Sequence, residues 1–431
     1  MALTADARVR ARAGLGGMGP FLFAAAAMFT AMYSTQAILP ELGRDFGVDP
    51  SQTGLTVSVV IGALALGAWF WGPLSDRIGR RASLVLASGA LVVPSVGVAV
   101  APSFAVLLAM RAAQGLCMPG LLTVGVPYVT EAFTERIGAR AMGLYVSALV
   151  FGGLVGRVGV ALLTAATSWR LALGAVAALP LAATLVMRRS LPPETPGPPS
   201  SGLSPSTVRR LLGNRQLVAV CLAGAGLFFS FMGVFSYIDF RLERPPFSLS
   251  PALIGLVFVL WIMGASGPAA GRLADRHGWR AVAIAGLLTC ASGLTLSLVP
   301  VLAVVVVGLA LVTLGNFSAV TAAQLGVAGA TDRDRGVASA MYFSAYYVAG
   351  ALGAYVPGLA WEQWHWTGVW AMAMAAYGVA LAALVTAATL ARPCAPSPAT
   401  PADSSSSSRT RPACAAAHSS GCTPGGASSS R

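Results

Sequence analysis

The sequence predicts an all-α integral membrane protein, with twelve transmembrane helices in two pseudo-symmetric halves of six. Three observations predict this fold class. Hydrophobic residues make up 56% of the 431 residues and charged residues only 10%, with a mean hydropathy of +0.74. Twelve apolar stretches are long enough to span a bilayer, and two short sequence patterns recur in both halves. A soluble protein has about a quarter of its residues charged, so a soluble enzyme is excluded.

Crossing about 30 Å of hydrocarbon takes roughly 20 helical residues. The predicted spans are 20–40, 53–75, 82–101, 104–129, 141–166, 169–188, 216–240, 251–273, 279–299, 301–327, 335–358 and 366–391. Residues 1–19 have three arginines but no small-residue cleavage site followed by a soluble domain. We therefore interpret them as a cytoplasmic segment before a retained first span, and not as a signal peptide.

The basic residues predict the orientation. All 28 are arginine, and an alternating topology places 22 of them on one side of the membrane. Only Arg44, Arg170, Arg241 and Arg244 fall on the other side. The positive-inside rule then makes both termini cytoplasmic.

Composition divides the chain into five segments. A Pro-, Ser- and Gly-rich stretch at 189–215 predicts a flexible linker between bundles at 20–188 and 216–391. The segment 392–431 is rich in Ala, Ser and Pro, so we expect a disordered cytoplasmic tail after the second bundle. The fifth segment is the cytoplasmic N-terminus, 1–19.

The first repeated pattern follows the second span as GPLSDRIGRR and the eighth as GRLADRHGWR. We expect the leading glycines to let helices approach closely, the later glycines to form tight turns, and the aspartates to accept hydrogen bonds from nearby arginines or to cap a helix. Together they would hold the cytoplasmic side shut in one state. The candidate gating residues are Gly72, Asp76, Arg77, Gly79, Arg81, Asp275, Arg276, Gly278 and Arg280.

A second pattern aligns LYVS of the fifth span with MYFS of the eleventh. The same register pairs Gly153 with Gly350 and Gly156 with Gly353. Both patterns recur at matching positions, so we interpret the two halves as structural repeats.

The pattern G-x-L-x-D-R-x-G-x-R resembles the loop between the second and third spans of the major facilitator superfamily of secondary transporters. The resemblance covers residues 18–391. Arg111-Ala112-Ala113-Gln114-Gly115 is similar to the R-x-x-Q-G motif of its proton-coupled members. The resemblance implies two six-helix halves that rock about a central site.

The glycines of the fifth span, Gly143, Gly152, Gly153 and Gly156, resemble the superfamily's antiporter motif, but Arg157 follows where a proline is expected. This ending is closer to the bacterial inner-membrane branch of arabinose-efflux-permease-like and acriflavine-sensitivity carriers. Substrates differ across that branch, so the resemblance implies a mechanism and no ligand. We expect Gly152, Gly153 and Gly156 to pack helices where the two halves meet and rock.

Two arginines fall within spans, Arg111 about 10 Å and Arg157 about 13 Å from the outer ends. An arginine at such depth is costly unless it is paired or faces water, so both are candidate site residues. Being permanently charged, either could bind an anionic group or stabilise a carboxylate. The alternative roles are snorkelling to the interface and satisfying backbone carbonyls of an unwound helix.

An acid that could carry a coupled proton is harder to find. Asp239, at the outer end of the seventh span, is the best candidate, and a solvated charge next to Arg241 is the alternative. The scarcity of embedded acids favours a neutral or anionic substrate over a lipophilic cation. The candidate substrate and coupling residues are Arg111, Arg157, Gln114, Gln36, Tyr33, Tyr346, Asn316 and Asp239. We expect Trp361, Trp364 and Trp366 to be anchors at the membrane interface.

These features predict a secondary transporter, first for proton-coupled export of a small organic solute and alternatively for uptake or facilitated passage of a small carboxylate-like anion. A membrane enzyme would need clustered His, Asp or Glu, and a receptor would need a large extramembrane domain. The sequence has no C-x-x-C pair and no Walker motif, so we expect no metal, no cofactor and no direct use of ATP. The expected partners are the lipid bilayer, the solute and a proton gradient, with no nucleic acid and a functional monomer.

Overall fold

A computed structural model describes residues 18–132, 135–191, 205–331 and 334–390, which contain helices and no β-strand. Residues 1–17, 192–204 and 391–431 lie outside the described residues. They include most of the predicted N-terminal segment, much of the predicted linker and the predicted tail. The described part of the linker segment contains a short helix, Pro205–Leu212.

The first six spans are built from helices that are continuous in some spans and broken in others. The broken spans are the first, the fourth and the fifth. In order, the elements are Gly19–Tyr33, a 3-10 turn Gln36–Ile38, Leu39–Phe46, Pro50–Ile78, Arg80–Ala99, Phe104–Cys117, Pro119–Ala132, Glu135–Leu154, a π-helical turn Val155–Gly159, Val160–Ala166 and Trp169–Ser190.

The last six spans are also helices, and the eighth of the twelve spans is broken. Their elements are Arg215–Glu243, Pro251–Leu256, a 3-10 segment Val257–Ser266, Gly267–His277, Trp279–Leu296, Leu302–Ala328 and Arg335–Leu390. The last of these is two helices, 335–364 and 366–390, joined at His365, where φ is 50°.

The number of membrane crossings agrees with the sequence prediction. Ten described helices are long and apolar enough to cross, and the bent pair of the eighth span makes eleven. The break at His365 divides one of the ten into two arms, so the described residues contain twelve candidate spans. The predicted fold class is confirmed.

Local sequence explains where several helices begin and end. Ser103, Ser168 and Asn214 each accept a hydrogen bond from a backbone N–H of the first turn, at 3.4, 3.3 and 3.1 Å. The second and eighth spans end at Gly79 and Gly278, where φ is 89° and 85°, values that favour glycine. The predicted tight turns therefore occur at both copies of the repeat.

The fifth-span glycines pack against the first span. A methyl group at Gly152 would lie 2.1 Å from the carbonyl oxygen of Ala26, and one at Gly156 would lie 2.5 Å from that of Thr30. Both contacts are with the first span, which is a neighbour of the fifth span in the same half. The fifth span also lies against the eighth span of the other half, so the role of these glycines in a movement between the halves stays a prediction.

The C-terminal half repeats this packing. A methyl group at Gly353 would lie 2.2 Å from the carbonyl oxygen of Phe229, on the seventh span. Gly353 is the repeat partner of Gly156, and the seventh span is the counterpart of the first. The internal repeat read from the sequence therefore corresponds to equivalent helix contacts.

Two sequence expectations are corrected. A methyl group built at Gly72 or Gly271 would have no neighbour within 4 Å beyond its own helical turn among the described residues, so these glycines do not mark a close helix approach in this conformation. Among the three tryptophans expected at the interface, only Trp364 is exposed, at 62%. Trp361 and Trp366 are buried, because Trp361 packs on Phe240 and the indole of Trp366 donates to Ser297 at 3.0 Å.

Candidate functional site

The break in the first span creates hydrogen-bond acceptors inside the bundle. The helix Gly19–Tyr33 ends before the 3-10 turn Gln36–Ile38, so carbonyls in its last turn have no partner from a continuing helix. The fully buried guanidinium of Arg111 donates to the carbonyls of Ala31 and Met32, at 2.8 and 2.6 Å. Arg111 therefore ties the fourth span to the broken end of the first.

The remaining donors of Arg111 also have neutral acceptors. Its Nε donates to the carbonyl of Thr56 at 2.8 Å, and Nη1 also donates to Gln114 Oε1 at 2.9 Å. The amide of Gln114 in turn donates to Ser95 at 3.0 Å. In this conformation Arg111 donates to backbone carbonyls of a broken helix, which is one of the alternative roles that the sequence allowed. Its function in a transport cycle stays a prediction.

Arg157 lies in the π-helical turn Val155–Gly159 of the fifth span. Such turns occur often at functional sites, since the extra residue changes where a side chain points. The side chain is fully buried; Nε donates to Gln36 Oε1 at 2.8 Å, and Nη1 donates to the carbonyl of Gly153 at 2.9 Å. Nη2 has no hydrogen-bond partner among the described residues.

Aromatic rings enclose this guanidinium. Its central carbon is 3.7 Å from the centre of the Tyr33 ring, 3.5 Å from that of Trp261 and 5.6 Å from that of Phe258. Tyr33 belongs to the first span, whereas Trp261 and Phe258 belong to the eighth. We call these three rings the aromatic cage; it holds a charge of the N-terminal half against rings of the C-terminal half.

Gln36 extends the connection to the seventh span. Its Oε1 accepts from Arg157, and its Nε2 donates to Ser236 Oγ at 3.3 Å. Arg157, Gln36 and Ser236 thus form a buried chain of hydrogen bonds from the fifth span to the seventh. Trp261 and Ser236 were missed by the sequence reasoning, although a tryptophan in the middle of an apolar stretch was a usable signal.

Asp239 lies three residues after Ser236 on the same helix, so the two side chains share a face. Asp239 is fully buried, and neither carboxyl oxygen has a hydrogen-bond partner among the described residues. Its electrostatic neighbours are Glu41, Glu243 and Arg157. The solvated position next to Arg241 that the sequence allowed is therefore wrong, because segments of the first and eleventh spans pack on the seventh helix and bury Asp239.

Two predicted site residues of the C-terminal half do not contact the Arg157 side chain directly. Tyr346 is half-buried and stacks on Phe228, with ring centres 4.0 Å apart and planes at 7°. Asn316 is buried, and its Oδ1 has no hydrogen-bond partner among the described residues. Neither contacts the Arg157 side chain through any hydrogen bond or ring contact described here, and their roles stay predictions.

The two copies of the repeated loop differ. Asp76 pairs with Arg80 at 2.6 Å, and Arg81 donates to the carbonyl of Arg188 at 3.1 Å. In the second copy, Asp275 is exposed and has no ion pair within the described part of the chain.

The remaining candidate gating arginines differ in their exposure and partners. Arg77 and Arg276 are exposed. Arg280 is half-buried; it donates to Gln216 at 3.4 Å and lies 5.2 Å from the ring centre of Trp279. The gating roles stay predictions.

Contacts between the halves are dense at the end of the bundle that the charge pattern places outside. Arg44 forms an ion pair with Glu243, joining the segment after the first span to the end of the seventh. A methyl group at Gly54 would lie 2.3 Å from the carbonyl oxygen of Ala354. The second and eleventh spans are thus in close contact, and this end of the bundle is closed.

Comparison with known proteins identifies relatives over most of the chain. The sequence profile of the Major Facilitator Superfamily matches residues 21–245 and 244–420. The inner membrane transport protein YnfM of Escherichia coli K12 is 32% identical over 348 residues, 80% of this chain and 83% of that protein. The multidrug resistance protein MdtM of Escherichia coli K12 is 32% identical over 155 residues, 35% of this chain and 38% of that protein.

The fold also has counterparts among solved structures. A bacterial homologue of the human lysosomal transporter Spinster, in an inward-facing and occupied conformation, matches with a TM-score of 0.71 at 15% identity. The match covers 90% of this chain and 98% of that one. At this identity the likeness concerns the fold.

Proposed function

The chain belongs to the Major Facilitator Superfamily, and from this we propose that it is a secondary active transporter that moves a small organic solute by alternating access. The observation that carries the proposal is the burial of Arg157 between rings of both halves. A charge held in this way must exchange its contacts whenever the halves separate. A solute that enters the gap would meet the guanidinium first.

The closed end of the bundle supports an alternating mechanism. Arg44, Glu243 and the tight contact at Gly54 hold the predicted outer side together. In the proposed cycle these contacts break as the cytoplasmic loops around Asp76 and Asp275 come together. Gly79 and Gly278 keep those loops short.

Proton-coupled export is the first candidate for the direction. It is supported by the name of MdtM, which resembles about a third of this chain. The name of YnfM supports a bacterial inner membrane, and the arginine distribution supports cytoplasmic termini. We propose a monomer as the working unit, since one chain contains both halves.

Uptake of a small carboxylate-like anion is the second candidate, and one observation favours it. The buried charged side chains among the described residues are Arg111, Arg157 and Asp239, two cations and one acid. A monoanion would balance the excess positive charge in a setting where unpaired charge is costly.

Flux in proteoliposomes tests the proposal. Neutral, anionic and cationic solutes of similar size are offered with and without an imposed pH gradient, and the protein carries Arg157→Gln, Arg111→Ala or no substitution. Arg170→Gln is the matched control, because Arg170 is 44% exposed and pairs with Asp45 at the surface.

We expect saturable flux that follows the pH gradient and is lost in Arg157→Gln but kept in Arg170→Gln. The sign of the gradient that drives accumulation separates export from uptake. No flux of any solute, or flux unchanged by Arg157→Gln, would overturn the proposal.

A further inference from the structure

We propose that Asp239 and the anionic group of the substrate are alternative counter-charges of Arg157, so that the carrier binds a small organic anion together with one proton. This inference rests on the proposed transport function. It deepens that function by naming the substrate class and the residue that takes the proton.

The Arg157 guanidinium has one hydrogen-bond donor without a partner among the described residues. Tyr33 and Trp261 lie over the guanidinium, which leaves its edge for hydrogen bonds. Two of the three nitrogens at that edge donate to Gln36 and Gly153, and Nη2 has no partner among the described residues. Both acceptors are neutral, so the cation has a donor and a full charge available for an anion.

Asp239 is the acid near this guanidinium. Asp239 is as buried as Arg157, and both of its carboxyl oxygens lack hydrogen-bond partners. It lies within electrostatic range of Arg157. Ser236 one helical turn away already reaches Arg157 through Gln36. In the proposed cycle, movement of the seventh span brings the carboxylate to the guanidinium.

The charged groups that act on Asp239 are two acids and one arginine. Glu41 and Arg44 come from the segment after the first span, Glu243 from the seventh span and Arg157 from the fifth. Arg44 already forms ion pairs with both glutamates, at 3.5 Å from Glu41 and in contact with Glu243. Arg241, on the same helix as Asp239, has its guanidinium 5.0 Å from the ring centre of Trp366. Arg157 is thus the cation left for Asp239.

Arg111 does not compete for the same role. Its guanidinium donates to three backbone carbonyls and to Gln114. An anion at Arg111 would have to displace the bonds that hold the broken first span. The substrate anion is therefore assigned to Arg157.

The exchange conserves charge and protons. In the proposed cycle, an empty carrier that has lost its proton pairs ionised Asp239 with Arg157, a contact that the described conformation does not contain. When a proton from the aqueous phase binds to the Asp239 carboxylate, that ion pair is lost and the guanidinium accepts the substrate anion instead. Release reverses both steps, so one proton and one negative charge enter and leave together.

A test without substrate uses Trp261, whose ring lies against the guanidinium. Tryptophan emission of the full chain in nanodiscs is recorded against pH, and the spectrum of Trp261→Phe is subtracted to isolate this residue. We expect a pH-dependent change in the wild type that is lost in Asp239→Asn. The control Asp45→Asn, which changes an exposed aspartate at the same end of the bundle, keeps it. A pH-dependent change in Trp261 emission that persists in Asp239→Asn would overturn the proposal.

A second test measures binding of a panel of monocarboxylates, from acetate to benzoate, with the corresponding amides as neutral isosteres. Between about pH 6 and 8 these acids stay ionised. We expect carboxylates to bind, and their affinity to fall up to tenfold per pH unit as Asp239 ionises. In Asp239→Asn the affinity becomes independent of pH, and in Arg157→Gln binding is lost.

Equal binding of amides and carboxylates, pH-independent binding in the wild type, or no carboxylate binding at all would overturn the inference. Failure of the proposed function gives a different result. Carboxylate binding linked to one proton, without flux of any solute in proteoliposomes, would defeat transport and leave this site standing. Flux of a cation that is unchanged by Asp239→Asn would leave transport standing and defeat this site.

Discussion

The guanidinium of Arg157 lies 3.5 Å from the ring centre of Trp261, and this contact joins the fifth span to the eighth. One residue comes from each half of the molecule, so the contact exists only while the halves are closed around it. Cation–π contacts contribute about 2 kcal/mol or more when they are shielded from water. Arg157 and Trp261 therefore stabilise the closed end as well as lining the candidate site.

Trp261→Leu is expected to favour opening of the closed end. Losing about 2 kcal/mol changes the ratio of closed to open molecules roughly 30-fold. A cysteine introduced at the buried position of Ala354, in a chain with its other cysteines replaced, reports opening by its rate of reaction with a maleimide. Trp364→Leu is the control, since Trp364 is exposed. Equal labelling rates in the two variants would contradict the role given to Trp261.

Arg111→Gln is expected to destabilise the fold more than it weakens anion binding. The substitution leaves the carbonyls of Ala31, Met32 and Thr56 without their donor, and each buried unsatisfied group costs about 1 to 3 kcal/mol. Thermal unfolding in detergent should show the loss, with partial recovery in Arg111→Lys because the ammonium group keeps three donors. A variant that unfolds normally but no longer binds anions would show that Arg111 is a substrate residue.

Gly152→Ala and Gly143→Ala are expected to act in opposite directions on the same helix. The new methyl group at Gly152 would meet the Ala26 carbonyl at 2.1 Å, which predicts a cost of about 1 to 3 kcal/mol. At Gly143 no described atom lies within 4 Å, so alanine should stabilise the helix by about 0.5 to 1 kcal/mol. The comparison needs only the two melting temperatures; a stable Gly152→Ala protein would mean that the first and fifth spans separate easily.

Asp76→Asn is expected to reduce stability more than Asp275→Asn, although the two residues are repeat partners. Asp76 is largely buried and forms a short ion pair with Arg80, a bond to a charged group that contributes about 1.5 to 3 kcal/mol. Asp275 is exposed, so its substitution should stay within about 0.5 kcal/mol. The melting temperatures of the two variants, measured side by side, test this order. Equal losses of stability would mean that the second loop has an ion pair of similar strength.

Residue patterns along the chain predicted the fold, because each span is a local property of the sequence. Apolar length gives the helices, and the paired glycines Gly79 and Gly278 give the turns. The orientation that the arginine distribution indicates stays a prediction. Arg157 was found for a similar reason, since one arginine in an apolar stretch is visible without a structure.

The partners of Arg157 could not be predicted in the same way. Trp261 and Ser236 come from the other half of the chain, and their approach depends on how two bundles pack. The π-helical turn that aims Arg157 leaves no recognisable mark in the sequence. A solvated Asp239 stayed open as the alternative to a coupling acid, because its burial depends on helices from elsewhere in the chain that pack on the seventh span.

The π-helical turn at Val155–Gly159 also separates two attachments of the fifth span. Before it, Gly152 packs on the first span, in the same half. After it, Ala161 packs on Gly255 of the eighth span, in the other half. An α-helix turns by about 100° per residue, so absorbing or releasing the surplus residue twists one part of the helix against the other. The fifth span can therefore act as a torsional joint: its outer part follows one bundle while its inner part stays with the other.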